Sequence, residues 1–118
     1  MNFTYKTAMP EDIDILVTTR IEVLRAANKL DDDVDMTEVA VQSGAYYEKA
    51  LKDGSHTAIL VYDKEKIIGA GGISYFEVMP TYHNPTGKKA YIMNMYTDPG
   101  YRRRGIARRM VELLVAES

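Results

Sequence analysis

Residues 97–107 read Thr-Asp-Pro-Gly-Tyr-Arg-Arg-Arg-Gly-Ile-Ala, and this stretch joins an apolar, strand-like segment to a helical one. A strand that turns into a helix leaves several backbone N–H groups unpaired at the helix N-terminus, where the helix dipole is also positive. Such a junction favours phosphate binding by its geometry. Because Gly105 and Ala107 have little or no side chain, a ligand can lie directly against the peptide backbone. Five arginines between positions 102 and 109 add to the expectation of an anionic ligand.

Two familiar phosphate-binding motifs do not fit this chain. Gly100 and Gly105 have the spacing of a P-loop, but Ile106 and Ala107 stand where that motif requires lysine and serine or threonine. The glycine-rich run at 69–72 does not match G-x-G-x-x-G, and it lies within a predicted strand rather than between a strand and a helix. Both motifs are therefore excluded.

The stretch instead resembles the acyl-CoA loop of the GNAT superfamily of N-acetyltransferases. The family pattern is (Q/R)-x-x-G-x-(G/A) after a strand that ends in V-x-P. This chain has Arg102-x-x-Gly105-x-Ala107 after Thr97-x-Pro99, with threonine in place of valine. Three further segments are similar to the superfamily, namely the run at 95–102, Pro10-Glu11-Asp12-Ile13, and Arg20-x-Glu22-x-Leu24.

The rest of the chain predicts the element order β-α-α-β-β-β-α. Strands are expected at 3–8, 56–62, 67–75 and 90–97, because apolar and β-branched residues are concentrated there. Helices are expected from Pro10 to about Asn28, from a capping box of Asp35 and Glu38 to Gly54, and from Gly105 onward. Residues 76–89 read as a long loop, and the glycines at 69, 71 and 72 predict a bulge or a close backbone approach.

This order predicts a single α/β (α+β) domain over residues 1–118, with a mostly antiparallel sheet flanked by helices. The chain has 118 residues, of which 46% are hydrophobic and 27% charged, enough to build one core. It contains no cysteine, which excludes disulfides, thiolate metal sites and a cysteine nucleophile, and we expect no metal. No signal peptide or membrane-length apolar run is visible, so we expect a soluble cytoplasmic protein with no membrane partner.

The resemblance implies acetyl-CoA as cosubstrate. Backbone groups of Met95 and Thr97 would pair with its pantetheine arm, and amides of the following turn would hold its diphosphate. The amide of Met95 is also the candidate for polarising the thioester carbonyl. The implied reaction is direct attack of a primary amine of a small molecule or peptide on the thioester. The implied cofactor-binding residues are Met95, Tyr96, Thr97, Arg102, Arg103, Arg104, Gly105, Ile106, Ala107 and Arg108.

The sequence leaves the general base open. The interpretation with most support assigns catalytic roles to Glu22, Asn94 and Met95, with Asn94 and Tyr96 sharing one strand face where they can orient a water relay. A carboxylate such as Glu22 is also typical of a surface helix, paired with a neighbouring arginine. The remaining candidates for the base are Glu77 and His83.

The acceptor pocket is expected between the first two helices and the 76–89 loop. Residues 1–59 contain 6 Lys/Arg against 11 Asp/Glu, which favours a cationic acceptor. Family members continue beyond this last helix with further strands and a helix, so the end at Ser118 predicts a truncated product or a homo-oligomer, such as a strand-swapped dimer, that completes the sheet. The alternative function is a non-catalytic CoA-binding or interaction module. A third hypothesis, nucleic-acid contact by the arginine cluster, is disfavoured by the pI of 5.7.

Overall fold

The computed structural model describes residues 3–117, without the side chain of Glu117, so residues 1, 2 and 118 of the predicted domain lie outside the described part. The element order β-α-α-β-β-β-α is confirmed. Short 3-10 turns at Pro10–Asp12 and Pro99–Tyr101 precede the first and third helices. The strands and helices are β1 (Thr4–Thr7), α1 (Ile13–Asn28), α2 (Thr37–Asp53), β2 (His56–Asp63), β3 (Lys66–Glu77), β4 (Lys88–Thr97) and α3 (Ile106–Glu117).

The four strands form one antiparallel sheet in the order β1-β2-β3-β4. Each strand therefore pairs with the next strand in sequence; β2–β3 and β3–β4 are hairpins, whereas α1 and α2 connect β1 to β2. The confirmed fold is α+β, with helices on both faces of the sheet. β4 lies at one edge of the described sheet, next to the turn that begins α3.

Side chains alternate between the two faces along each strand, and the apolar ones form two hydrophobic cores, one on each face of the sheet. Val61 and Ile68 point to one face and pack with Ile106, Met110 and Leu114 of α3. The spacing of these α3 residues, at i, i+4 and i+8, places them on one stripe of the helix.

The opposite face of the sheet is covered by α1 and α2. Leu60 and Ala70 of the sheet pack there with Leu16 of α1 and with Tyr47 of α2. The small Ala70 leaves room for these helices to approach β3 closely, whereas Gly69 and Gly71 face α3 on the other side. The sheet is thus a middle layer, and both of its faces are buried.

The start of α2 differs from the sequence expectation. The predicted capping box of Asp35 and Glu38 is not formed, because the helix begins at Thr37 and Glu38 is one position too early to reach back to the cap. The Asp35 carboxylate instead accepts hydrogen bonds from the Thr37 N–H and hydroxyl, at 2.9 and 2.6 Å. Gly54 ends the helix as predicted, with a φ of 80° in the left-handed region.

The loop between β3 and β4 is shorter than predicted. Pairing between the two strands continues out to Glu77 and Lys88, which leaves residues 78–87 as the connection instead of 76–89. Gly87 closes this loop with a φ of 69°, and its N–H donates to the Asn84 carbonyl at 3.0 Å. No helix within residues 3–117 combines the length and apolar character needed to span a bilayer.

Candidate active site

A cavity of about 910 Å³ lies where the end of β4 and the start of α3 face α1; we call it the first cavity. This volume is in the range of cavities that bind small molecules and cofactors. Its walls come from the C-terminal half of α1, the last residues of β4 and the turn before α3. Lining residues that the site involves are Glu22, Val23, Met95, Tyr96, Thr97, Pro99, Tyr101, Arg102, Arg103, Gly105, Ile106, Ala107 and Arg108.

The turn that begins α3 is held by Asp98, which follows β4. Its N–H donates to the carbonyl of Ile68 at 2.8 Å, and its carboxylate accepts from the N–H of Gly100 at 2.9 Å. The chain then passes through Arg103 and Gly105, with φ values of 66° and 76°. Glycine adopts this left-handed conformation without steric cost, which explains the glycine immediately before the helix.

The backbone amides at the start of α3 have no acceptor in the part of the chain that the structure describes. The first helical hydrogen bond runs from the N–H of Arg109 to the carbonyl of Gly105, at 3.0 Å. Among the described residues, the N–H groups of Gly105, Ile106, Ala107 and Arg108 donate to no protein atom. A Cβ placed on Gly105 would meet no atom within 4 Å, so the space beside its backbone is open. The turn is therefore an open anion cradle at a helix N-terminus.

Tyr101 fastens this turn to the sheet. Its hydroxyl donates to the Asp63 carboxylate at 2.7 Å, and this hydrogen bond is the main reason that the pKa of Tyr101 is raised. The Lys66 ammonium and the Arg104 guanidinium lie over its ring, 5.3 and 5.2 Å from the centroid. The aromatic ring also packs edge-on against Phe3, at 5.8 Å between centroids.

A bulge in β4 lies at the inner end of the first cavity. Ala70 pairs with Tyr96 and Gly72 with Met93, so Asn94 and Met95 together stand opposite Gly71. The predicted irregularity of the glycine strand is confirmed, but the extra residue belongs to β4. A Cβ on Gly71 would lie 2.6 Å from the Met95 sulfur, so the glycine makes room for that side chain.

The two residues at the bulge point to opposite faces of the sheet, as consecutive strand residues do. Met95 packs with the α3 core and lines the first cavity. Asn94 has a φ of 59°, and its amide donates to the Tyr47 hydroxyl at 3.1 Å on the α1–α2 face. At the bulge, therefore, two adjacent residues face the two opposite sides of the sheet.

Glu22 and Tyr96 lie together in the first cavity. Burial raises the pKa of Tyr96, and the charge of the nearby Glu22 carboxylate raises it further. Glu22 thus lies next to the strand that ends at the cradle, in a position to accept a proton.

A second cavity of about 480 Å³ lies on the other side of the bulge, between α1, α2 and the sheet. Arg20 and Asn94 contribute to it, and the Arg20 Nη1 lies 3.5 Å from the Asn94 Oδ1. Aromatic and apolar side chains supply much of the remaining wall. Its lining residues are Arg20, Glu38, Val39, Gln42, Ser43, Tyr46, Tyr47, His56, Ser74, Met93 and Asn94.

The wall of the second cavity contains a hydrogen-bonded triangle of the buried His56, the half-buried Ser74 and the exposed Tyr46. The Nδ1 of His56 lies 2.9 Å from the Ser74 Oγ and 3.2 Å from the Tyr46 hydroxyl, and these two oxygens are 2.8 Å apart. Burial lowers the pKa of His56 to about 4, and the nearby charge of Arg20 lowers it in the same direction. The imidazole is therefore neutral at neutral pH, and its Nε2 has no partner among the described residues.

Comparison with known proteins identifies the family. The profile of the acetyltransferase (GNAT) family matches residues 22–118. The chain belongs to this family. A predicted acetyltransferase from Clostridium acetobutylicum, crystallised with acetyl-CoA, is 31% identical with a TM-score of 0.87; the match covers 98% of this chain and 73% of that one. No curated protein matches the chain.

Two more distant acetyltransferase structures share the fold. A GCN5-related N-acetyltransferase from Ralstonia eutropha is 22% identical with a TM-score of 0.84, over 98% of this chain and 75% of that one. An aminoglycoside acetyltransferase from an uncultured soil metagenomic sample is 19% identical with a TM-score of 0.71, over 99% of this chain and 72% of that one.

The structure of this GNAT chain brings most of the sequence-predicted site residues to the first cavity. Asn94 is separate, because its side chain lines the second cavity and bonds to Tyr47 there. Arg104 lies over the Tyr101 ring and is not among the lining residues. Glu77 and His83 line neither cavity, since Glu77 ends β3 and His83 packs against Tyr82 in the exposed loop.

The second cavity also differs from the expected acceptor pocket of the GNAT chain. It lies between the first two helices as predicted, but the loop at 78–87 contributes none of its lining. Sequence reasoning missed the triangle of His56, Ser74 and Tyr46, because strand register pairs the first two and the packing of α2 on the sheet adds the third. Within residues 3–117, no group of three or more histidines and carboxylates is placed to hold a metal ion.

Proposed function

We propose that this chain transfers an acetyl group from acetyl-CoA to a primary amine by direct attack. The observation that carries the proposal is the row of unpaired amides from Gly105 to Arg108, which opens into a cavity that reaches the β4 bulge. The match to the GNAT family and the acetyl-CoA in the Clostridium acetobutylicum relative support the choice of ligand.

The turn supplies two kinds of interaction for a diphosphate. Its free N–H groups provide hydrogen bonds, and the α3 dipole adds a favourable potential. Arg102, Arg103 and Arg108 line the same cavity and provide positive charge. The open space beside Gly105 allows phosphate oxygens to approach the backbone closely.

Acetyl-CoA supplies an activated acetyl group as a thioester. The bulge at Met95 interrupts the regular ladder next to the first cavity, and there the backbone can serve as donor to the thioester carbonyl. The amine nitrogen attacks that carbonyl carbon, a C–N bond forms, the C–S bond breaks, and CoA leaves as the thiol. The acceptor approaches from the second cavity, one residue away through the bulge.

A proton must leave the amine, because an ammonium with a pKa of about 10.4 is not nucleophilic at neutral pH. Glu22 is the carboxylate that lines the first cavity, and it lies near the hydroxyl of Tyr96, which lines the same cavity. We assign Glu22 as the acceptor of this proton, directly or through water. Asn94 stands at the bulge between the two cavities, where it can orient the acceptor or that water.

Titration calorimetry with acetyl-CoA tests ligand binding, and two glycine variants provide a matched pair. Gly105 and Gly54 have φ values of 76° and 80°, and a Cβ at either position meets no atom within 4 Å. Alanine therefore adds the same strain of about 1 kcal/mol at both sites. We expect Gly105→Ala to weaken acetyl-CoA binding and Gly54→Ala to leave it unchanged. Equal affinities for the two variants would contradict the assignment of the cradle.

Release of CoA thiol with a panel of amines tests turnover. We expect Glu22→Gln to lower kcat by about 100-fold or more if the carboxylate is the base, with acetyl-CoA affinity retained. Binding of acetyl-CoA without turnover of any amine would favour the alternative, a CoA-binding module. The homo-oligomer, the cytoplasmic location and the lack of a nucleic-acid partner remain predictions, and light scattering of the purified chain tests the first of them.

A further inference from the structure

Arg20 is a cation without a carboxylate partner in the wall of the second cavity. It is half-buried on α1, and within residues 3–117 it forms no ion pair. Its one hydrogen bond is the long contact of 3.5 Å to the Asn94 side-chain oxygen. A guanidinium in a partly desolvated cavity favours a bidentate anion, for which its donor geometry is suited.

The other lining groups do not neutralise this charge. Glu38 is exposed on α2, and its carboxylate accepts a hydrogen bond from the Gln42 amide at 3.0 Å. Tyr47 and His56 are buried beside Arg20; burial raises the pKa of Tyr47 and lowers that of His56, so both are neutral at neutral pH. The second cavity therefore presents one half-buried cation among aromatic, apolar and neutral polar groups, and its one lining carboxylate, Glu38, is exposed and forms no ion pair with Arg20 among the described residues.

We propose that the second cavity binds an acceptor that carries a carboxylate close to its amino group, such as a free amino acid, with Arg20 holding the carboxylate. This inference rests on the proposed acetyl transfer and names its substrate class. The step forms an amide on the amino group and releases the CoA thiol, while the carboxylate is unchanged.

The contact of Arg20 with Asn94 and the adjacency of Asn94 to Met95 limit the size of the acceptor. Arg20 reaches Asn94, and Asn94 stands on the bulge next to Met95, so a carboxylate on Arg20 lies close to the point of attack. An amino group can reach that point only if few bonds separate it from the carboxylate. The remaining wall, which includes Tyr46 and Met93, provides an apolar surface for a side chain. The acidic first half of the chain favoured a cationic acceptor, but those carboxylates lie mostly outside this cavity.

Saturation-transfer NMR gives a test that does not depend on turnover. The probes are the L-amino acids and the same amino acids as C-terminal amides, in which the carboxylate is replaced by a neutral group. Each set is added to the chain with and without CoA. We expect at least one free amino acid to bind, and its amide to bind about 10- to 100-fold more weakly, as for loss of a charge-assisted hydrogen bond.

Variants assign the effect to Arg20. Arg20→Gln should lower affinity for the free amino acid by about 10- to 100-fold and leave affinity for the amide unchanged, and Arg20→Lys should restore part of it. Lys49→Gln removes a positive charge from an exposed position on α2, outside the cavity, and serves as the control.

The inference is overturned by equal binding of acids and amides, by an unchanged Arg20→Gln variant, or by absence of binding of every free amino acid. Failure of the proposed function has a different signature, because acetyl-CoA itself then gives no heat in the calorimeter. Amino-acid binding measured without CoA tests the second cavity whether or not acetyl-CoA binds to the chain.

Discussion

Acidification should destabilise the fold through His56, whose side chain is 4% exposed. Burial and the charge of Arg20 lower its pKa from 6.5 to about 4 in the folded chain. In the unfolded chain the imidazole is protonated at an ordinary pKa near 6.5. Between these values the unfolded state binds more protons than the folded state, so stability falls as pH falls from about 6.5 to about 4.

The size of this effect follows from the pKa of His56 in the two states. Each pH unit in the window costs about 1.4 kcal/mol, which gives an upper limit of about 3 kcal/mol. Solvent that reaches the second cavity reduces this to about 2 kcal/mol. Because small domains are stabilised by only about 5–15 kcal/mol, such a loss is readily measured.

Urea denaturation at pH 7 and pH 4.5 tests this expectation. On acidification, the free energy of unfolding should fall by about 2 kcal/mol more in wild type than in His56→Gln. Contributions from other groups, such as Asp12, are common to both proteins and cancel in this difference. His83→Gln, in the exposed loop, controls for removal of a histidine. NMR of the His56 ring provides a second readout that needs no variant. A ring that titrates near 6.5, or equal losses in wild type and His56→Gln, would refute the reasoning.

Two further predictions concern packing near the two cavities. Tyr101→Phe removes the hydrogen bond of 2.7 Å to Asp63 and should lower the free energy of unfolding by about 1 kcal/mol, with weaker acetyl-CoA binding in the same preparation. An unchanged unfolding midpoint would count against Tyr101 as an anchor of the turn. Gly72→Ala places a Cβ 2.6 Å from the His56 Nε2 and should cost about 1–3 kcal/mol. Gly44 lies in a helix, and a Cβ there would meet nothing nearer than 3.8 Å. Gly44→Ala should therefore raise the free energy of unfolding by about 0.5–1 kcal/mol. Changes of the same sign in Gly72→Ala and Gly44→Ala would contradict the packing described for these two glycines.

Most of the strands and helices that could be predicted from the sequence have short-range sequence signals. Alternating strands, a glycine that ends α2, and a proline-containing turn before α3 each act within a few residues. The errors lie at element ends, where tertiary contacts decide. The start of α2 is set by the hydrogen bonds of Asp35 to Thr37, and the longer β3–β4 hairpin is set by pairing from Glu77 to Lys88.

The two cavities differ in how far the sequence reveals them. The cradle is contained in one continuous stretch, so the spacing of Arg102, Gly105 and Ala107 was sufficient to predict its place. The second cavity depends on positions far apart in sequence, such as Arg20, His56 and Ser74. Neither charge nor periodicity relates these residues, because strand register and helix packing bring them together.

The most direct test of the account is the response of the backbone amides at the start of α3 to acetyl-CoA. In a ¹⁵N-labelled sample, we expect the amide resonances of Gly105, Ile106, Ala107 and Arg108 to shift most strongly on saturation, since these groups have no acceptor within residues 3–117. The resonance of Gly54, at the remote end of α2, should not move. Saturating binding of acetyl-CoA that leaves the four α3 amides unshifted would contradict the assignment of this turn as the diphosphate site.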